Sequence, residues 1–149
     1  MLPTIRIIKS SEMRKITEFM KAFEQASKFV TVDIDYAAKT YETMIDDGTA
    51  TVMVLEKEGD LIGSLGFIKA PDLHSGEQML VETFWFTDPE KRGFGLLLLD
   101  AFEKHAQDNG IKKIAMIHMM DSYPERLEAL YLKRGYKLIE KHYVRYLDD

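Results

Sequence analysis

The spacing of apolar residues in the first third of the chain predicts one strand followed by two helices. Residues 4–9 fit a short strand, and Ser10 or Ser11 then offers an N-cap for a helix. That helix carries apolar residues at helical spacing, namely Met13, Ile16, Met20 and Phe23. A second helix is expected at residues 35–47, with Asp35 as its N-cap.

The middle of the chain predicts three consecutive strands. Residues 50–57 are apolar at nearly every position, as in a strand that is buried on both faces. The turn at residues 58–60 leads into a third strand at residues 61–68, so these two strands should form a hairpin. After a loop at residues 71–78, residues 79–87 are rich in aromatic and β-branched side chains and predict a fourth strand.

The last third of the chain predicts a parallel crossover, a further helix and a final extended segment. A helix at residues 94–109 ends at Gly110 and is followed by a fifth strand at residues 111–120. The run Ser122-Tyr123-Pro124-Glu125 is a capping box that opens the next helix. Residues 136–147 then read as one or two closing strands, which gives an α/β fold.

Composition narrows the class of protein further. With 149 residues, 46% of them hydrophobic and 30% charged, the chain predicts one folded domain over residues 1–149, with no repeat or linker. It contains no cysteine, which excludes disulfides, thiol nucleophiles and cysteine-ligated metals. No leader or membrane-spanning pattern is found, so we expect a cytoplasmic protein. The net charge of −5 disfavours nucleic acid and anionic membranes as partners.

Residues 87–97 form the most informative segment, because they join the fourth strand to the N-terminus of a helix. The first turn of a helix has about four backbone N–H groups without helical acceptors, and its dipole is positive. Gly93 and Gly95 would let a phosphate approach these amides, and Lys91 and Arg92 would add positive charge. A pyrophosphate site is therefore predicted; the alternative is that the glycines only permit a tight turn. No Lys-Ser/Thr pair follows them and the Rossmann spacing is absent, which disfavours phosphoryl and hydride transfer.

This segment resembles the acyl-CoA-binding motif of the GNAT superfamily of N-acetyltransferases, which reads Arg/Gln-x-x-Gly-x-Gly/Ala. Arg92 and Gly95 match the motif, and so does the Pro-Glu pair that precedes them. Leu97 stands where the family usually has Gly or Ala, and Thr87 where it often has Val. The order of elements and residues 131–136, a helical Tyr followed by a Gly-aromatic pair, also resemble this family.

The resemblance implies a mixed, mostly antiparallel sheet with helices on both faces and a splayed wedge between the fourth and fifth strands. It also implies acetyl-CoA as the acyl donor, bound in that wedge, with no metal. The backbone of Trp85, Phe86 and Thr87 would contact the pantetheine arm. The pyrophosphate would be bound by the segment that follows: Lys91, Arg92, Gly93, Phe94, Gly95, Leu96 and Leu97.

Two residues are candidates for acid–base catalysis. Strict alternation places Glu82 on one strand face with Leu80, Phe84 and Phe86, where apolar surroundings would raise its pKa and suit it as a base. Glu82 could instead face solvent or pair with a lysine. The resemblance implies that Tyr131 is the acid beside the CoA sulfur, and the alternative is a tyrosine that only packs.

The expected reaction is transfer of acetyl from acetyl-CoA to a primary amine by direct attack in a ternary complex. The amine would belong to a small molecule or a peptide, and a second copy of the chain is an open alternative as partner. The acids Asp33 and Asp35 and the loop at residues 71–78 would border the acceptor cleft, and His118 would line it or lie buried. A non-catalytic acyl-CoA-binding or partner-binding module is the alternative function, and nucleotide binding is a third.

Overall fold

The computed structural model describes residues 2–22, 24, 31–117 and 124–147, and the chain forms two compact units, residues 1–117 and 118–149. The predictions that concern Phe23, His118 and the capping residues Ser122 and Tyr123 lie outside the described residues. The first unit contains β1 (Thr4–Ile7), a 3-10 turn (Ser10–Glu12), α1 (Met13–Ala22), α2 (Ile34–Asp46), β2 (Ala50–Lys57), β3 (Asp60–Pro71), β4 (Gln78–Thr87), a 3-10 segment (Pro89–Phe94), α3 (Leu96–Asp108) and β5 (Lys113–Ala115). The second unit contains α4 (Pro124–Lys133). That residues 1–149 act as one domain stays a prediction.

The first unit is built on a five-stranded sheet in the order β1-β2-β3-β4-β5. The pairings from β1 to β4 are antiparallel, and β5 pairs with β4 in parallel. The parallel pairing spans three residue pairs, from Met79 with Lys113 to Val81 with Ala115. This mixed, mostly antiparallel sheet confirms the predicted fold class.

A β-bulge interrupts β4 at Thr83. Glu82 lies opposite Phe67 on β3, whereas the next paired residue, Phe84, lies opposite Gly66, so Thr83 is an extra residue on β4. One extra residue reverses the alternation of side chains beyond it. The prediction that Glu82 shares a face with Phe84 and Phe86 is therefore wrong, because strict alternation does not continue through the bulge.

Helices cover both faces of the sheet. On one face the Phe84 ring packs edge-on against Tyr41 of α2, with ring centroids 5.4 Å apart. The buried core on this face also contains Ile8, Met13, Ile16, Met20, Val32, Val52 and Val54. On the other face Phe67 packs against Phe102 of α3, with ring centroids 4.9 Å apart. Leu98, Leu99 and Phe102 of α3 are fully buried. The position of Phe67, directly opposite Glu82, assigns Glu82 to the α3 face.

Several helix and strand boundaries differ from the prediction. Helix α2 begins at Ile34, and its N-cap is Asp33, whose carboxylate accepts the backbone N–H of Tyr36 at 3.0 Å, so Asp35 lies inside the first turn. Helix α3 begins at Leu96 because residues 89–94 form the separate 3-10 segment. Strand β5 covers Lys113–Ala115, and residues 118–120 of the predicted strand lie outside the described residues.

The described part of the second unit comprises α4 and residues 134–147. Gly135 ends the helix with φ of 92°, and the backbone N–H of Tyr136 donates to the carbonyl of Tyr131 at 2.9 Å. Residues 136–147 contain no strand, so the predicted closing strands are wrong. Apolar alternation alone does not make a strand, which also requires backbone pairing with a neighbour. No helix in the described part of the chain is long and apolar enough to span a membrane.

Candidate active site

The second half of β4 has a backbone edge that β5 does not cover. Pairing with β5 ends at Val81, and β4 continues to Thr87 without a further partner on that side in the described ranges. Trp85, Phe86 and Thr87 all lie in this unpaired part. A free strand edge presents N–H and C=O groups that can pair with an amide-containing ligand. The structure therefore fits the predicted place of a pantetheine arm, and the contacts themselves stay a prediction.

The side chain of Glu82 lies where β4 and β5 separate. Its carboxylate accepts the backbone N–H of Ile117, two residues beyond the end of β5, and the residue is only 4% exposed. Burial raises the pKa of Glu82 from an ordinary 4.5 to about 8, against the opposing effect of the Ile117 hydrogen bond. Glu82 does not face solvent, and the described residues place no lysine partner beside it. A carboxyl with a pKa near neutrality can exchange a proton at physiological pH.

A buried donor without an acceptor lies further along the same half of β4. The indole Nε1 of Trp85 is shielded from solvent and has no hydrogen-bond partner among the residues that the structure describes. Trp85 lies opposite Leu65, on the α3 face of the sheet. An unsatisfied buried N–H is costly unless water or a ligand supplies an acceptor. A carbonyl group of a bound ligand would supply such an acceptor, as would a water molecule.

The segment between β4 and α3 presents backbone to open space. A Cβ built on Gly93 would meet no atom within 4 Å, and Gly93 is exposed. Asp88 fixes the start of the segment, since its carboxylate accepts the N–H of Glu90 at 3.0 Å and its own N–H donates to Ile62 of β3 at 2.8 Å. The first residues of α3 follow directly. The N–H of Leu98 donates to the carbonyl of Gly95 at 3.1 Å, which leaves Leu96 and Leu97 as the helical residues whose N–H groups precede the helical hydrogen bonds. The geometry fits an anion such as a pyrophosphate.

Leu97 occupies the motif position at which the resemblance implies a small residue. Its side chain is 38% exposed, and that of its neighbour Leu96 is 41% exposed, so neither is packed into the core. The leucine therefore lies at the surface of the helix N-terminus, beside the amides that would bind phosphate. Its effect on the affinity for a cosubstrate stays a prediction.

A lysine that the sequence pattern did not indicate lies at this end of the sheet. The ammonium of Lys57, the last residue of β2, lies over the ring of Phe94, 5.1 Å from its centroid. Phe94 is the last residue of the 3-10 segment and directly precedes Gly95, the N-cap of α3. The two residues are 37 positions apart in sequence, so only the hairpin geometry could have indicated their contact.

The second candidate catalytic residue, Tyr131, belongs to the second unit. It is 7% exposed, and its ring lies 5.4 Å from that of Tyr136. The structure therefore gives Tyr131 a packing contact, and its role as the acid stays a prediction.

The acids that were expected to border an acceptor cleft have partners within the chain. Asp33 caps α2, and Asp35 forms an ion pair with Arg14 of α1. In the loop after β3, Asp72 pairs with Lys113 of β5, which lowers the pKa of Asp72 to about 2. In the described part of the chain no group of three or more His, Asp or Glu side chains is arranged to hold a metal ion.

Comparison by sequence identifies a family for most of the chain. Residues 13–136 match the model of the acetyltransferase (GNAT) family. No curated protein matches the chain by sequence.

Comparison by structure finds acetyltransferases at low sequence identity. A ribosomal-protein-alanine N-acetyltransferase from Brucella melitensis biovar Abortus 2308 superposes with a TM-score of 0.71 and 18% identity, covering 97% of this chain and 99% of its own. An aminoglycoside acetyltransferase from an uncultured soil metagenomic sample gives 0.74 and 13%, covering 99% of each chain. A predicted acetyltransferase with acetyl-CoA from Clostridium acetobutylicum gives 0.72 and 15%, covering 98% of this chain and 97% of its own. At these identities the similarity shows a shared fold.

Proposed function

We propose, since the chain belongs to the acetyltransferase (GNAT) family, that it transfers the acetyl group of acetyl-CoA to a primary amine in a ternary complex. The observation that carries this proposal is the position of Glu82, a buried carboxyl with a raised pKa where β4 and β5 part. It lies at the start of the free β4 edge, which is where an acyl group carried by a pantetheine arm would end.

Acetyl-CoA would supply a thioester, whose carbonyl carbon is open to attack by an amine. The free backbone of Trp85, Phe86 and Thr87 would pair with its amide-containing arm. The pyrophosphate would lie against the N-terminus of α3, which begins at Leu96, with Lys91 and Arg92 supplying charge. Neither the pantetheine arm nor the pyrophosphate would require a metal ion when bound in this way.

The two candidate catalytic side chains, Glu82 and Tyr131, would then each transfer one proton. Glu82, ionised, would accept a proton from the attacking amine, directly or through one water, as the new C–N bond forms. Tyr131 would donate its hydroxyl proton to the departing sulfur as the C–S bond breaks. The chain contains no cysteine, and direct attack needs no acyl-enzyme intermediate.

The acceptor is proposed only as a primary amine on a small molecule or peptide. Structural neighbours are named for a ribosomal-protein alanine and for an aminoglycoside, so both kinds of amine belong in a test panel. A cytoplasmic location also stays a proposal.

The test is an assay of free thiol release from acetyl-CoA with a panel of aminoglycosides, polyamines, amino acids and peptides, combined with mass spectrometry of the products. We expect at least one amine to gain an acetyl group, with catalysis lowered in a Glu82→Gln variant that binds acetyl-CoA normally. Tight binding of acetyl-CoA without turnover on any amine would instead support the non-catalytic binding module.

A further inference from the structure

Lys57 and Phe94 join two segments that are distant in sequence. Lys57 ends β2 at the hairpin turn, and its ammonium lies 5.1 Å from the centroid of the Phe94 ring. Phe94 stands immediately before the N-cap of α3. A cation over an aromatic face is held electrostatically at a typical distance of up to about 6 Å. The contact therefore brings a positive charge from the hairpin to the segment that precedes the helix.

The backbone fixes this arrangement from both sides. In the hairpin, Lys57 pairs with Asp60, and Glu58 and Gly59 form the turn with positive φ values of 53° and 84°. The N–H of Asp88, at the start of the segment before α3, donates to the carbonyl of Ile62 in the same hairpin at 2.8 Å. The hairpin end and the segment are thus tied together by the main chain as well as by the side-chain contact.

Acids outnumber cations in the two segments where a diphosphate would have to bind. Around the hairpin turn and the segment before α3, the acids are Glu58, Asp60, Asp88 and Glu90, and the cations are Lys57, Lys91 and Arg92. Without Lys57 the acids would outnumber the cations by two. In a chain with a net charge of −5, each cation at this end should therefore affect the binding of an anion.

We propose that Lys57 is a further binding residue for the phosphate groups of acetyl-CoA, held beside the N-terminus of α3 by the ring of Phe94. The inference rests on the proposed function and deepens it. The ring contacts one side of the ammonium, so the N–H donors on the side away from the ring stay available to phosphate oxygens. Phe94 thereby acts as a positioning residue for the lysine.

The experiment compares acetyl-CoA affinity in wild type and four variants by isothermal titration calorimetry. We expect Lys57→Gln to weaken binding by roughly threefold to tenfold, the loss of one charge-assisted contact. Lys57→Arg keeps the charge and should bind nearly as wild type. Phe94→Leu should weaken binding by a smaller factor, because the cation remains but loses its support.

Lys104→Gln is the matched control for net charge. Lys104 lies in the last turns of α3 and pairs with Asp108 at 3.0 Å, so its loss changes the overall charge by the same amount as the loss of Lys57. We expect its affinity for acetyl-CoA to stay within twofold of wild type. The difference in acetyl-CoA affinity between Lys57→Gln and Lys104→Gln should shrink at 1 M salt, where the Debye length is about 3 Å.

Acetyl-pantetheine, which lacks the phosphates, separates the proposal from its alternatives. Its kcat/KM should be equal in wild type and Lys57→Gln, whereas kcat/KM for acetyl-CoA should fall. Equal acetyl-CoA affinity in wild type and a folded Lys57→Gln would overturn the role of Lys57 and leave the proposed function intact. If wild type itself binds no acetyl-CoA, the proposed function fails first.

Discussion

Glutamine in place of Glu82 keeps the size of the side chain and its ability to accept the N–H of Ile117, but it cannot take up a proton. We expect the variant to bind acetyl-CoA normally and to lose about 10²- to 10⁴-fold in kcat/KM for the amine, the usual contribution of a general base. The loss should be largest where Glu82 of the wild type is fully ionised.

The pH dependence follows from the raised pKa. Glu82 acts as a base only when ionised, so with a pKa of about 8 the active fraction at pH 6 is about one percent. The amine acceptor also becomes more reactive as pH rises, and this effect cancels in the ratio of wild-type to variant kcat/KM. That ratio should rise with pH and level off above about pH 8.

The free energy of unfolding provides a second readout, and it should fall with rising pH where the activity ratio rises. The folded protein holds the Glu82 proton up to about pH 8, whereas the unfolded chain releases it near 4.5. The stabilisation is therefore complete below 4.5 and is lost as pH rises through 8, a difference on the order of 5 kcal/mol at most. Urea unfolding should show wild type losing stability relative to Glu82→Gln between pH 5 and about pH 9.

Two results would refute this reasoning. A ratio of wild-type to variant kcat/KM that is flat between about pH 5 and pH 9 would remove Glu82 as the base. A relative stability that does not change over the same range would show that the carboxyl is ionised in the folded protein at all these pH values, and that burial does not control its pKa.

Three further substitutions test other parts of the site and the fold. Tyr131→Phe should keep acetyl-CoA affinity in calorimetry and lower kcat by about 10²-fold, and an unchanged kcat would remove Tyr131 from the mechanism. Leu97→Ala should tighten acetyl-CoA binding if the leucine restricts access to the helix N-terminus, and equal affinity would contradict that restriction. Gly66→Ala should lower the free energy of unfolding by roughly 1–3 kcal/mol, because its Cβ would lie 2.4 Å from the Phe84 ring. Gly93→Ala, whose Cβ meets open space, is the control and should change it by less than about 0.5 kcal/mol.

Local pattern predicted much of the fold. The predicted range of β2 agrees with the structure. The predicted ends of β3 and β4 lie within a few residues of the observed ones. These elements have strong local signals, namely continuous apolar runs bounded by turn residues. Helix α2 was also found, but the choice between Asp33 and Asp35 as N-cap depended on one hydrogen bond that composition does not show.

The missed features depend on contacts between distant parts of the chain. The bulge at Thr83 exists only in the pairing with β3, so no period along β4 could indicate it. The contact of Lys57 with Phe94 needs the hairpin and the helix start to be brought together first. Residues 136–147 have the apolar pattern of a strand, yet a pattern cannot supply a pairing partner. Burial of Glu82 was predicted, but Phe84 and Phe86, which were expected on the same face, lie on the other side of the sheet.

The bulge has a practical consequence for anyone who aligns or mutates this strand. Even-numbered positions up to Glu82 point to the α3 layer, and odd-numbered positions from Trp85 onward do so. An alignment with a relative whose strand lacks the extra residue therefore needs a one-residue gap at Thr83. Without that gap, every later position of β4 is aligned with a residue whose side chain lies on the opposite face of the sheet. A mutant library that varies alternate residues on the α3 face must change from even-numbered to odd-numbered positions at the same point.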